Sequence, residues 1–370
     1  MVEHSLLEET DLLERIRQWY MTAKQASDDW REETRESYAF TAGDQWDDKD
    51  RQSLKKLLRP CLTSNRIGPV IDSVSGMEVN NRQEVRYIPR TEGDEAVNEV
   101  LTAGAQWSRD QCDAEDEESD AFIDLLIAGL GWTDTRIDYE TDPDGMIMVE
   151  RIDPLEMFWD HAARKRNLGA ARYVIRVRDL DIADAKAMFA DADEEDLHAS
   201  WTSEADAGEP GRLDREAARY YEGNAAAAKP RRARVRILEC QWWEREAFWR
   251  ARNPMTGEIE EVTEAQYRTL KQRFDGQPFE AVKQLRRVYK RAFVGAKVLE
   301  SGDGPYPQGF TYRAMTGKRD RNKGTWYGLV RPMKDPQRYA NKLMSAILHI
   351  IATSGKGVLA EINAFEDVRK

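Results

Sequence analysis

The sequence predicts an α+β fold, on three observations. Apolar residues in the first 130 positions recur at three-four spacing, the mark of amphipathic helices. The spacing switches to alternation over residues 133–152. A small unit at 234–300 then mixes long alternating runs with one capped helical stretch, and a last helix follows.

Residues 7–40 read as one long helix, with Leu12, Ile16, Trp19, Tyr20, Ala23, Ala26 and Trp30 on one face and Gly43 as its stop. Residues 66–80 form a second, carrying Ile67, Val70, Ile71, Val74 and Met77 and capped by Asn65. A third runs from Asp94 to Cys112 through Val97, Leu101 and Trp107, and a fourth spans 117–129 with Ala121, Phe122, Leu125 and Leu126. Thr133, Thr135, Ile137 and Tyr139 then alternate with polar neighbours up to the turn Asp142-Pro-Asp-Gly145, and the alternation resumes to Ile152, which makes a β-hairpin. Residues 171–178 are a further strand and Asp181–Ala190 a short helix.

Gly, Pro and an alanine run at 203–233 mark a linker, with room for a helix at 212–222. Val235 to Trp249 is a long strand pattern reaching the turn Asn253–Gly257. Thr263-Glu-Ala-Gln266 is a capping box opening a helix to Phe274, and 284–300 return as strand. Asp335-Pro336 sets a cap before a proline at the first helical position. Tyr339, Leu343, Met344, Ile347, Leu348 and Ile351 follow as one stripe, ended by Gly355.

Composition narrows the function. A hydrophobic fraction of 41% with 11 Trp, 13 Tyr and 10 Phe sustains a real core, so wholesale disorder is excluded and most tryptophans are expected inside. The net charge of -12 excludes a protein that simply coats DNA, though a wall that repels phosphate would let DNA slide past. Cys61, Cys112 and Cys240 show no paired spacing and are expected as reduced, buried thiols. The first twenty residues carry acids where a signal peptide carries bases, and the apolar run 346–352 is too short to span a bilayer, so no membrane partner is expected.

No phosphate-binding loop, nucleophile elbow, zinc-protease motif or dinucleotide fingerprint occurs, and His4, His161, His198 and His349 are scattered, so no catalytic residue, metal ligand or cofactor is expected. Six acids crowd 113–120, but consecutive residues point all around a helix, which makes a solvated face of them. Charge is segregated along the chain. Residues 91–120 hold eleven acids and one base, whereas 268–297 and 313–342 each hold nine bases and two acids. That pattern suits complementarity between neighbouring copies, or between the basic end and DNA or an acidic partner. Lys334, Arg338 and Lys342, four apart, fall on one helix face, either towards a DNA channel or towards acids of the next subunit.

Several segments, in order over about 300 residues, resemble the portal (head-to-tail connector) proteins of short-tailed bacteriophages. They are Trp30–Trp46 ending in GDQW, Arg59–Arg66 (RPCLTSNR), Asn80-Asn-Arg82, Leu126–Gly131 with Ile147–Pro154, Glu239–Trp243 (ECQWW), Asn253–Glu258, Arg286–Lys290, and Tyr327–Arg331 with Asp335, Gln337, Arg338, Asn341 and Ser345. One departure stands out. After Phe158-Trp-Asp160 the family continues with a proline and an acidic string, whereas this chain reads His161-Ala-Ala-Arg-Lys-Arg166.

The resemblance implies a portal-protein fold: an α-helical wing and stem with a small α/β clip. The wing's helical part would be 1–130 and its hairpin and strand part 131–202; then come the linker 203–233, the clip 234–300, and at 301–370 a stem-type helix and return, truncated before the crown. It implies a structural ring subunit, a dodecamer at the capsid vertex of a virion assembled in the host cytoplasm, with double-stranded DNA passing through for packaging and ejection. Terminase, a tail adaptor and capsid protein would be its partners. Tyr339, Leu343, Ile347 and Ile351 would lie against a neighbouring subunit. The rivals are a metal-dependent nuclease or other packaging enzyme, and an adaptor or scaffold that forms no ring.

Overall fold

The computed structural model describes residues 2–83, 85–89, 93–139, 142–197, 234–252, 259–273 and 281–354. The 203–233 linker with its 212–222 helix, the 253–257 turn, Phe274 and Gly355 lie outside them. Helices and antiparallel sheets share the chain, the α+β mixture expected.

Helix α1 (Val2–Ala42) buries Ile16, Tyr20, Ala23 and Trp30; Ala26 faces out, and Ser27 takes the inward place beside it. Gly43 ends it at φ +94°, a left-handed conformation cheap only for glycine. After α2 (Asp48–Lys56), an extended run leads to α3 (Ile67–Asn80). Asn65 Oδ1 accepts from the Ile67 and Gly68 N–H groups at 3.1 and 3.3 Å, the capping role expected of it.

Helices α4 (Glu95–Gln111) and α5 (Ala114–Ala128) follow. The acid block lies in the first turns of α5, where the helix dipole favours negative charge. It is not the wholly solvated face expected: Arg82 reaches Glu115 and Asp116 at 3.0 and 3.2 Å, and Arg109 grips Glu118 at 2.7 Å.

Strands β1 (Leu130–Asp138) and β2 (Met146–Ile152) form the expected hairpin, in register from Trp132↔Ile152 to Asp138↔Met146. The second sheet begins with β3 (Met157–Trp159) and β4 (Tyr173–Asp181), after which come the short helices α6 (Ile182–Met188) and α7 (Glu194–Leu197). Its centre is β5 (Arg234–Arg252), which meets β4 on one edge from Tyr173↔Trp242 to Asp181↔Arg234 and β7 (Ala281–Val294) on the other from Leu238↔Val294 to Ala251↔Ala281. Beyond residue 247, β6 (Ile259–Thr263) replaces β4 on the first edge, and β8 (Val298–Asp303) pairs with the inner end of β7. The sheet is therefore continuous across the boundary expected at 234.

The expected capping box is present at α8 (Glu264–Arg273). The Gln266 N–H donates to Thr263 Oγ1 at 3.4 Å, and the Thr263 N–H donates to Gln266 Oε1 at 3.0 Å. Strand β9 (Tyr312–Thr316) joins the free edge of β1, and a small hairpin, β10 (Lys318–Arg319) and β11 (Trp326–Tyr327), precedes the last helix, α9 (Lys334–Thr353). That helix starts one residue before the expected cap. A 3₁₀ turn at Arg331–Met333 runs straight into it, so Asp335 sits inside the first turn and pairs with Arg338 at 3.3 Å.

Two buried clusters hold the fold together. In one, Trp159 is edge-on to Trp30 at 5.1 Å and tilted against Trp132 at 6.1 Å, among Leu130, Ile152 and Ile67. In the other, Ile16 and Tyr20 of α1 lie on Phe158, Ile175, Leu238 and Cys240 of the large sheet. Asp124 is buried between two partners: Tyr38 donates to it at 2.5 Å and Arg151 reaches it at 2.5 Å. Cys112 and Cys240 are buried as expected, and burial pushes the Cys240 thiol well up. Cys61 is exposed, because it sits on the extended run between α2 and α3 rather than on an element with an inner face.

Candidate functional site

The most unusual surface is on α9, because the helix is turned inside out. An ordinary surface helix buries its apolar stripe and shows water its polar one. Here the polar residues at three-four spacing, Lys334, Gln337, Asn341 and Ser345, face the rest of the chain and are buried. Tyr339, Leu343, Ile347 and Ile351 face out, with 69%, 62%, 50% and 66% of their surface exposed.

The inward face is satisfied by hydrogen bonds to the RPCLTSNR segment and to the end of α1. Gln337 Nε2 donates to the Ser64 carbonyl at 2.5 Å, and Asn341 Oδ1 accepts from the Ser64 N–H at 3.0 Å. Ser345 Oγ accepts from the Leu62 N–H at 3.0 Å. Asn341 Nδ2 donates to Gln45 Oε1 at 2.6 Å, while Gln45 Nε2 donates to the Phe40 carbonyl and to Asn65 Oδ1. These buried groups are costly to leave unpaired, so the network fixes which side of α9 turns inward.

The three bases expected at a channel or a neighbouring subunit are engaged within their own chain. Lys334 Nζ donates to the Glu33 carbonyl at 2.9 Å and lies 2.7 Å from Glu36 Oε2. Arg338 pairs with Glu36 and stacks over Phe40 at 4.9 Å. Lys342 meets Asp50 at 2.9 Å. Lys334 is buried, so it presents nothing to a passing phosphate. Sequence spacing put the three on one face but could not tell that α1 supplies Glu36, and α2 Asp50, opposite it.

A second apolar surface is formed by α4, whose Val97, Val100, Leu101 and Trp107 are exposed. The periodicity located that stripe without revealing that the described residues of its own chain leave it uncovered.

At the far end of the large sheet, β6 and α8 flank the outer halves of β5 and β7. Trp249 stacks on Tyr267 at 3.9 Å and donates to Glu264 at 2.6 Å. Arg287 lies over Trp243 at 4.2 Å and Arg286 over Phe248 at 5.2 Å. Cation–π pairs and stacking take the place of a deep core there.

Among the described residues, no cluster of three or more His, Cys, Asp or Glu could hold a metal ion, and no helix is long and apolar enough to cross a membrane. Two outward apolar faces on a frame stiffened by buried polar contacts define a subunit built to assemble. The model of the phage P22-like portal protein family matches residues 17–370, so the chain belongs to that family. A search of curated proteins finds no match. It is a structural portal subunit, part of the ring at a phage capsid vertex through which DNA is packaged.

Proposed function

We propose that α9 is the stem helix of this portal and that its outward stripe, Tyr339, Leu343, Ile347 and Ile351, is buried against the neighbouring subunit in a twelve-membered ring. The inverted amphipathicity of α9 carries this reading: the described residues of its own chain satisfy the polar face and leave the apolar one bare. A closed ring needs head-to-tail contacts between two different patches on each copy, and the α4 surface is a second one. The helices and sheet of the first 200 residues then form the wing. The outer part of 234–300, where α8 and β6 flank the long ribbon, is the clip that docks terminase during filling and the tail adaptor afterwards. Capsid protein surrounds the ring, which assembles in the host cytoplasm.

Electron microscopy of the purified full chain tests this. Rings with a central hole and twelve-fold averages are expected. A uniform population of monomers would count against the stem assignment, and closed rings of another number would correct the stoichiometry.

A further inference from the structure

The loop that departs from the family pattern, 161–166, meets the β10–β11 hairpin across a cleft of about 900 Å³. Arg164, Arg166, Lys318, Arg319, Arg321 and Lys323 line it, with His161, Asn322 and Trp326, and no acid does. In a chain of net charge -12, bases are usually matched by acids. Here, among the described residues, Lys323 alone of the six has one, Asp29 at 3.7 Å, and that acid is itself exposed. Asp320, the one acid within the hairpin, accepts from the N–H groups of Asn322 and Lys323 and pairs with Arg331.

Two of the bases are held in place by their own chain. Arg319 donates to the Arg164 carbonyl at 3.0 Å and lies over Trp326 at 5.6 Å, and Lys318 lies over Tyr327 at 5.9 Å. His161 stacks on Trp159 at 4.9 Å. Its Nε2 and the Nε of Arg319 are buried without a hydrogen-bond partner.

We propose that this cleft is a docking site for the phosphate backbone of double-stranded DNA. Four of the six bases are arginines, whose planar donors match phosphate oxygens in pairs. At physiological salt, charges more than about 8 Å away are largely screened, so the distant acids of the chain do not cancel a local basic cluster. Of a second copy's acid block, Glu115, Asp116 and Glu118 are already paired with Arg82 and Arg109, which makes DNA the better occupant. The inference rests on the portal function only in that DNA is present at the particle.

The test uses the full chain and a labelled random-sequence duplex of 30 base pairs, with binding followed by fluorescence anisotropy from low to high salt. The cleft variant is Arg164→Gln with Arg166→Gln and Arg321→Gln. The control, Lys55→Gln with Lys56→Gln and Lys271→Gln, removes the same charge from exposed positions elsewhere. The cleft variant should bind at least tenfold more weakly at low salt, and its slope of log affinity against log salt should fall by about three, one for each lost phosphate contact. The control should keep the parent slope. Equal losses in the two variants would overturn the proposal, as would polyglutamate of matched charge displacing the label better than unlabelled duplex does, which would make the occupant an acidic protein segment. Thermal unfolding of both variants checks folding, and microscopy scores rings separately, so intact rings with unchanged DNA affinity would sink the cleft and leave the portal assignment standing.

Discussion

Lys334 Nζ and Glu36 Oε2 lie 2.7 Å apart, joining the first turn of the last helix to the end of the first across nearly 300 positions of sequence. The lysine is buried and also donates to the Glu33 carbonyl. Lys334→Gln should lower stability by about 1–2 kcal/mol, because both acceptors lose a charged donor while Arg338 still holds Glu36. Urea denaturation of parent and variant reads this, and an unchanged midpoint would show that the contact contributes nothing.

Leu343→Asp places a charge in the middle of the outward stripe, where 62% of the side chain meets water in the single chain. The variant should fold normally and fail to form rings, since assembly would bury an unpaired carboxylate. Circular dichroism checks folding and light scattering checks size. Full-sized rings from this variant would remove α9 from the interface.

Removing residues 244–283 and joining 243 to 284 by a short turn cuts the ribbon where β5 and β7 leave the buried sheet; the inner pairing from Leu238↔Val294 to Trp243↔Tyr289 remains. A folded chain that no longer binds the packaging motor is expected. Surface plasmon resonance against terminase measures it, and unaltered affinity would place the docking surface elsewhere.

Gly129 sits at φ +85°, and a Cβ there would lie 2.3 Å from the Tyr327 backbone. Gly129→Ala should cost about 2 kcal/mol or more, from left-handed strain plus the displacement of β11 from α5. A melting temperature unchanged within a degree would contradict the close approach.

Burial lowers the pKa of His161, against the opposing pull of Asp160, so the folded protein favours the neutral ring. A depressed folded pKa means that the unfolded chain binds the extra proton first. This contribution is therefore fully present above the unfolded value of about 6.5 and is lost as pH falls below it. His161→Gln should narrow the difference in melting temperature between pH 7.5 and pH 5.5, and an identical pH dependence in the two proteins would refute the burial argument.

Periodicity reached the long helices and the hairpin because their burial is local: Ile16, Tyr20 and Trp30 fall inward for the same reason that they fall on one face. The capping box at Thr263 and the cap at Asn65 were legible because such contacts span two or three residues. What the sequence could not show is which face a partner from far along the chain would cover. Spacing puts one apolar stripe on α9, but that the helix's polar side is the one covered within its own chain is seen only with Ser64 and Gln45 in place. Most tryptophans were expected inside, without the sequence telling which; Trp107 is one that is exposed, since among the described residues none packs over α4 at that point. The inversion of sign at 161–166 was visible at once, but its meaning depends on Lys318 and Arg321, some 150 residues later, lying across the same cleft.

Strand β5 is 19 residues long and runs unbroken from the buried sheet to the tip beside α8, a span of about 60 Å at strand rise. Bonded to β7 from Leu238 to Ala251, it forms a stiff lever with its inner part set among Leu238, Cys240 and Val294 and its outer part held by β6. A force applied at the tip would be delivered along the paired strands to α1, whose Ile16 and Tyr20 lie on the buried part of the sheet, with little lost to bending on the way.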